Sequence, residues 1–254
     1  MKKSAIVLAT ALAASVLPTL ALADDSPLSF NVGAVSDYRY RGISQSQLYP
    51  ALQGGADYAQ GPFYAGTWLS TIRWVHDAGK AFNPDIDSGD APVEWDLYGG
   101  TKGEIAKDFS YDVGVLGYIY IGEKFGNIGL SSPNTGEVYG ALTYGPVTGK
   151  VSVSFTDLFG VPDSSGSAYF DLNANFDIGS GFSVVPHVGY QLVANHDTAS
   201  YTDYSLTLNK DFGKGLSASL GVVGTFDASK TIYVTSGGQA TGDGTVVVGV
   251  KYTF

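Results

Sequence analysis

The sequence predicts an all-β protein: a closed antiparallel transmembrane β-barrel of about 12 strands. Three observations predict it. Apolar and polar residues alternate with period two in segment after segment, for ten residues in the clearest case, and a tilted membrane strand needs ~9–11 residues. Short Gly- and Pro-punctuated turns alternate along the chain with long polar loops. Charged residues make up 15% of the 254, against roughly 25% in an average soluble domain, while Gly (34), Tyr (17) and Phe (13) are abundant. The net charge of −10 leaves no basic footprint for nucleic acid, and zero Cys excludes a disulfide framework, a thiolate zinc site and a Cys nucleophile.

The N-terminus reads as an export signal. Lys2 and Lys3 precede an apolar run from Ala5 to Leu17, and Ala21-Leu22-Ala23 supplies a small-residue cleavage site before Asp24-Asp25. Residues 1–23 are therefore expected to be removed, leaving residues 24–254 as one outer-membrane barrel.

The strands follow in order. Leu28–Arg41 places Leu28, Phe30, Val32, Ala34, Tyr38 and Tyr40 on one face and Ser29, Asn31, Gly33, Asp37, Arg39 and Arg41 on the other. Segments 50–60 and 62–74 are weaker. In the second, Tyr64, Trp68 and Ile72 compete with Phe63, Ala65 and Leu69 for the outward face. Val93, Trp95 and Leu97 oppose Glu94, Asp96 and Tyr98; Phe109, Tyr111, Val113 and Val115 oppose Ser110, Asp112 and Gly114. A candidate at 136–145 is followed by Val151, Val153 and Phe155 opposing Lys150, Ser152 and Ser154. Phe170, Leu172, Ala174 and Phe176 then oppose Tyr169, Asp171 and Asn173. After a candidate at 182–193, Tyr204, Leu206 and Leu208 oppose Asp203, Ser205 and Thr207, and Leu216–Asp227 alternates throughout. Thr245–Phe254 ends the chain with Val246, Val248, Val250, Tyr252 and Phe254 on one face.

Tight turns are expected at Gln60-Gly61-Pro62, Gly145–Gly149, Gly179-Ser180-Gly181 and Gly213-Lys214-Gly215, with a longer connection over 101–108. Long loops fall near 42–50, 75–92, 122–136, 158–167, 194–201 and 228–243. An even strand count with short turns at one end and long loops at the other is the outer-membrane arrangement, and Tyr and Phe are expected to mark its interface belts.

Alternation assigns twelve charged residues to the lumen: Asp37, Arg39, Arg41, Asp57, Glu94, Asp96, Asp112, Glu137, Lys150, Asp171, Asp203 and Lys251. Arg or Lys facing lipid at the midplane costs ~2–4 kcal/mol, so charges belong inside or at the rims. Mixed signs there either pair across the lumen and hold it shut, or line a wet pore. No catalytic constellation stands out. His187 faces the lumen with Gly at 189, while His76 and His196 sit by loops, each followed by Asp. Asp85, Asp87 and Asp90 depart from the calcium-loop pattern, with Gly89 at the fifth position rather than the sixth. No cofactor is called for.

Ser36-Asp37-Tyr38-Arg39-Tyr40-Arg41-Gly42-Ile43-Ser44-Gln45-Ser46 is similar to the opening signature of the TorF-type putative porins of proteobacteria. Pro50–Tyr58, Phe63–Trp68 and Glu94-x-Asp96-x-Tyr98-x-Gly100 extend the match through the first hundred residues; after Tyr118 it loosens. The resemblance implies a Gram-negative outer-membrane protein with a porin role. The outward Val250, Tyr252 and terminal Phe254 resemble the C-terminal signal read by the bacterial barrel-assembly machinery. The expected function is passive diffusion of small polar solutes with a mild cation or zwitterion preference, and the expected partners are outer-membrane lipid, lipopolysaccharide, the assembly machinery and small solutes. The alternatives are a non-conducting barrel serving as receptor, adhesin or structural protein, and a barrel enzyme.

Overall fold

In a computed structural model the described residues are 27–82 and 89–254, apart from the side chains of 79–82. The expected leader, Asp85 and Asp87 lie outside them. Twelve strands form one closed sheet: β1 Leu28–Val35, β2 Ala51–Gln60, β3 Phe63–Thr71, β4 Val93–Ala106, β5 Phe109–Tyr120, β6 Thr135–Tyr144, β7 Val147–Ser154, β8 Ala168–Ala174 continued after Asn175 by Phe176–Gly179, β9 Phe182–Leu192, β10 Tyr201–Gly213, β11 Leu216–Phe226 and β12 Thr245–Thr253. Every strand pairs antiparallel with its sequence neighbours. β12 closes on β1, with Asn31 opposite Thr253 and Val35 opposite Gly249. The terminal residue completes the seam: Phe254 and Phe30 exchange both backbone hydrogen bonds, at 2.8 and 2.9 Å, and stack their rings.

The alternation survives as two surfaces. Val32, Leu52, Leu69, Leu97, Val113, Leu142, Leu172, Leu206 and Val248 are exposed on the outside, whereas Asp57, Glu94, Asp96, Glu137, Lys150, Asp171 and Asp203 are buried inside. A closed sheet with an apolar exterior and polar interior has its backbone fully paired and its only uncovered surface suited to lipid. It is the architecture of an outer-membrane β-barrel. No helix among the described residues is long and apolar enough to cross a membrane.

At one end the strands are joined by two-residue turns, Lys214-Gly215 among them, with φ of 53° and 82°. Both residues of a type I′ hairpin turn need positive φ, and glycine accepts it without strain. The connection expected over 101–108 is shorter than the pattern suggests: β4 and β5 continue to a turn at Lys107-Asp108. Strand β3 turns Phe63, Ala65 and Leu69 outward and buries Tyr64, and Ile72, just past its end, is buried too. At the other end, by the outer-membrane rule the external one, lie the long loops. The 72–92 connection contains a helix, α1 Trp74–Phe82, where only loop is expected. Its Val75 is fully buried, and the Trp74 ring meets Tyr120, Phe125 and Phe159 edge-on at 5.2–6.5 Å. The external loops therefore have an aromatic core of their own over the barrel mouth.

Candidate functional site: the lumen and its internal hairpin

The first strand stops six residues before the alternation does. After Val35 the chain leaves the wall and folds into the barrel as a two-stranded hairpin, Arg39–Tyr40 against Ile43–Ser44. Its turn is Arg41-Gly42, both with positive φ (48° and 78°). Asp37, Arg39 and Arg41, expected as lumenal residues of a barrel strand, are thus carried into the lumen by a loop. The pattern misleads because a hairpin strand alternates like a wall strand.

Arg41 is 4% exposed. Its Nη2 donates to both carboxylate oxygens of Glu137 on β6, at 2.9 and 2.7 Å, and its Nη1 donates to Gln191 Oε1 on β9 at 2.7 Å. The guanidinium lies between the rings of Tyr40 and Tyr169, 4.7 and 4.3 Å from their centroids. A guanidinium can stack on rings while its two terminal nitrogens reach partners on different strands, which a Lys ammonium cannot. Arg39 donates from Nε to Asp37 at 2.6 Å and from Nη1 to the carbonyls of Gly42, Thr241 and Asp243, tying the hairpin to the last external loop. Asp37 also accepts from the Ser44 and Ser46 hydroxyls at 2.5 and 3.1 Å. The carbonyl of Gln45 accepts from the backbone N–H groups of Arg73 and Trp74 at the start of α1.

The wall around the hairpin is built from tyrosine and carboxylate. Tyr38 and Tyr120 donate to the two oxygens of Glu94, each at 2.6 Å. Tyr98 donates to Asp57 and Tyr64 to Asp112, each at 2.5 Å, and Tyr169 to Asp203 at 2.9 Å. Tyr40 and Tyr118, and Tyr64 and Tyr139, meet through their hydroxyls. Lys150 stands over the Tyr139 ring at 4.1 Å. His187 Nε2 lies 2.7 Å from Asp171 and Nδ1 3.5 Å from Asp203. Asp96 is fully buried and neither carboxylate oxygen has a hydrogen bond.

Of the twelve charges assigned by alternation, the structure gathers Asp37, Arg39, Arg41, Glu94, Asp96, Glu137, Asp171 and Asp203 around the hairpin, with Lys150 directly opposite Asp171 on β7. Asp57, Asp112 and Lys251 lie nearer the short-turn end. Lys102 on β4, 5.5 Å over the Tyr64 ring, is a lumenal cation that the expected 101–108 connection hid. The tyrosines are the larger departure. Tyr38, Tyr64, Tyr98, Tyr118, Tyr120, Tyr139, Tyr169 and Tyr201 are buried, nearly half of the 17, so the Tyr excess serves the lumen as much as the interface belts; the exposed Phe residues serve the outside.

Ser205 stands opposite His187 on β10, but its hydroxyl makes no hydrogen bond, and both ring nitrogens of His187 face carboxylates. His76 is paired with Asp77 at 3.1 Å and His196 donates to the Pro162 carbonyl at 2.7 Å.

Solved structures share the fold. The KdgM porin aligns with a TM-score of 0.55 at 9% identity, covering 89% of this chain and 99% of its own. The NanC porin aligns at 0.54 and 10% identity, covering 89% and 98%. A KdgM porin in complex with disordered oligogalacturonate aligns at 0.53 and 8% identity, covering 89% and 98%. At these identities the likeness is one of fold. No curated protein matches the sequence. Residues 22–254 match the model of a family described as "Bacterial protein of unknown function (Gcw_chp)", and the chain belongs to that family.

Proposed function

We propose that this member of the Gcw_chp family is a porin-like outer-membrane channel for passive diffusion of small polar solutes, with a mild preference for cations or zwitterions. One observation carries the reading: a closed barrel whose interior presents carboxylates, amines and hydroxyls while its exterior is apolar. A lumen meant only to be filled is built more stably from apolar side chains, because each buried charge must be repaid by pairing.

Charge sets the preference. Acidic residues outnumber basic ones inside, and a lumen of net negative field favours cations over anions. That separates this channel from the KdgM porin, which has been solved with oligogalacturonate, a polyanion. The TorF-type resemblance supports the same role. The reading is a channel rather than an enzyme, since His187 is engaged by Asp171 and Asp203, and the hydroxyl it meets, that of Tyr169, donates to Asp203. Residues 1–23 are proposed as the leader, Val250, Tyr252 and Phe254 as the signal for the barrel-assembly machinery, and lipid and lipopolysaccharide as the surroundings.

Liposome swelling tests the proposal. Vesicles holding the refolded protein should swell faster in small zwitterionic and cationic osmolytes than in anionic ones of equal size. Equal, protein-independent rates for all of them would refute it.

A further inference from the structure

We infer that the hairpin of residues 36–50 is a displaceable plug, latched by Arg41 and Arg39, that constricts the external half of the lumen. Its purpose rests on the channel reading above; its geometry does not.

The hairpin meets the wall nearly all the way round. Tyr38 reaches Glu94 on β4, Tyr40 reaches Tyr118 on β5, and Arg41 reaches Glu137 on β6 and Gln191 on β9. A side chain at Gly42 would press on Asp203 of β10 and Thr225 of β11, each 2.7 Å away. Asp37, Tyr38, Arg39, Arg41, Ile43 and Ser44 are all buried. A segment so placed leaves little room for a solute to pass at that level.

The chemistry of the seat is that of a reversible contact. Its polar contacts are ion pairs, hydroxyls and carbonyls, groups that water can satisfy if the hairpin withdraws. The backbone points the same way. Arg41, Gln47 and Leu48 have φ of 48°, 58° and 69°, left-handed conformations that non-glycine residues adopt only when their surroundings hold them there. Asn or Asp is the usual first residue of such a hairpin turn. Arg41 therefore occupies a position its backbone does not favour, and its side chain closes the seat. Loss of Arg41 would leave Glu137 buried without its cation, a state relieved by admitting water and releasing the hairpin.

The chain contains no cysteine, so Asn209→Cys places a single thiol on the lumenal face of β10, below the level of the hairpin. A small membrane-impermeant methanethiosulfonate is added outside intact cells. Labelling should be slow with the hairpin native and at least tenfold faster when Arg39→Ala and Arg41→Ala are combined. Glu137→Gln, which keeps the shape and removes the anion, should give an intermediate rate. Heat-modifiable electrophoretic mobility identifies the folded barrels to be compared. Equal labelling rates across folded variants would overturn the plug, whatever their conductance. A tenfold difference in labelling without conductance in any variant would uphold the plug and overturn the channel.

Discussion

Among the described residues, Asp96 is a completely buried carboxylate with neither oxygen hydrogen-bonded. An isolated buried carboxylate is costly, and its amide isostere is less so. Asp96→Asn should therefore stabilise the folded barrel, by about 1–3 kcal/mol on the scale of buried polar groups, seen as a higher urea midpoint. A lower midpoint would mean that the anion makes a favourable contact. Asp157, in the loop between β7 and β8, is the opposite case. The Ser131 hydroxyl, and then the amides of Ser164 and Ser165, hold its carboxyl below the usual carboxylate range. Because the folded-state value is depressed, this loop contact is fully present above the ordinary value of about 3.9 and is lost as pH falls through the lower folded one. Hydrogen exchange at Ser164 and Ser165 should stay constant down to about pH 4 once corrected for intrinsic rates, then quicken. In Asp157→Asn it should be faster above about pH 4 and lack that transition.

The wall strands were readable because each has one face in lipid and the other in a polar lumen, which is the condition under which period two appears in a sequence. Leu206→Arg, on the exposed face of β10, should cost ~2–4 kcal/mol in refolding into vesicles if it lies near the bilayer midplane. Ser205→Thr, one residue away but lumenal, should cost far less. Where the two-solvent condition fails, so does legibility. Tyr38 and Tyr40 alternate with Asp37, Arg39 and Arg41 just as lipid-facing residues would, yet both faces of the hairpin are inside the barrel. The Arg41-Gly42 pair was the one turn signal available, and it lay inside the strongest run of alternation near the N-terminus. In β3 two sets of apolar residues competed until neighbours decided between them: Trp68 packs edge-on against Tyr38 at 5.4 Å, a contact unavailable to local pattern. Helix α1 spans nine residues including Gly79, too short and too dependent on its seat against Tyr120 and Phe159 to stand out alone. Tyrosine's dual nature explains the rest. Its ring suits the interface belt and its hydroxyl suits a buried carboxylate, so composition could not apportion it between outside and inside.

The whole barrel combines a scaffold with an interior that is expensive to maintain. Antiparallel pairing from β1 round to β12, sealed by Phe254 against Phe30, supplies a wall whose backbone needs nothing from the lumen. On the proposed reading the charges within serve passage, and the hairpin of residues 36–50 sets how much passes. Single-channel recording of the refolded protein in planar bilayers tests that account most directly. It predicts small, discrete conductance steps with a reversal potential displaced towards the cation under a salt gradient, and larger steps when Arg39→Ala and Arg41→Ala are combined. Folded barrels that insert yet carry no current, with the hairpin native and with its arginines removed, would contradict it.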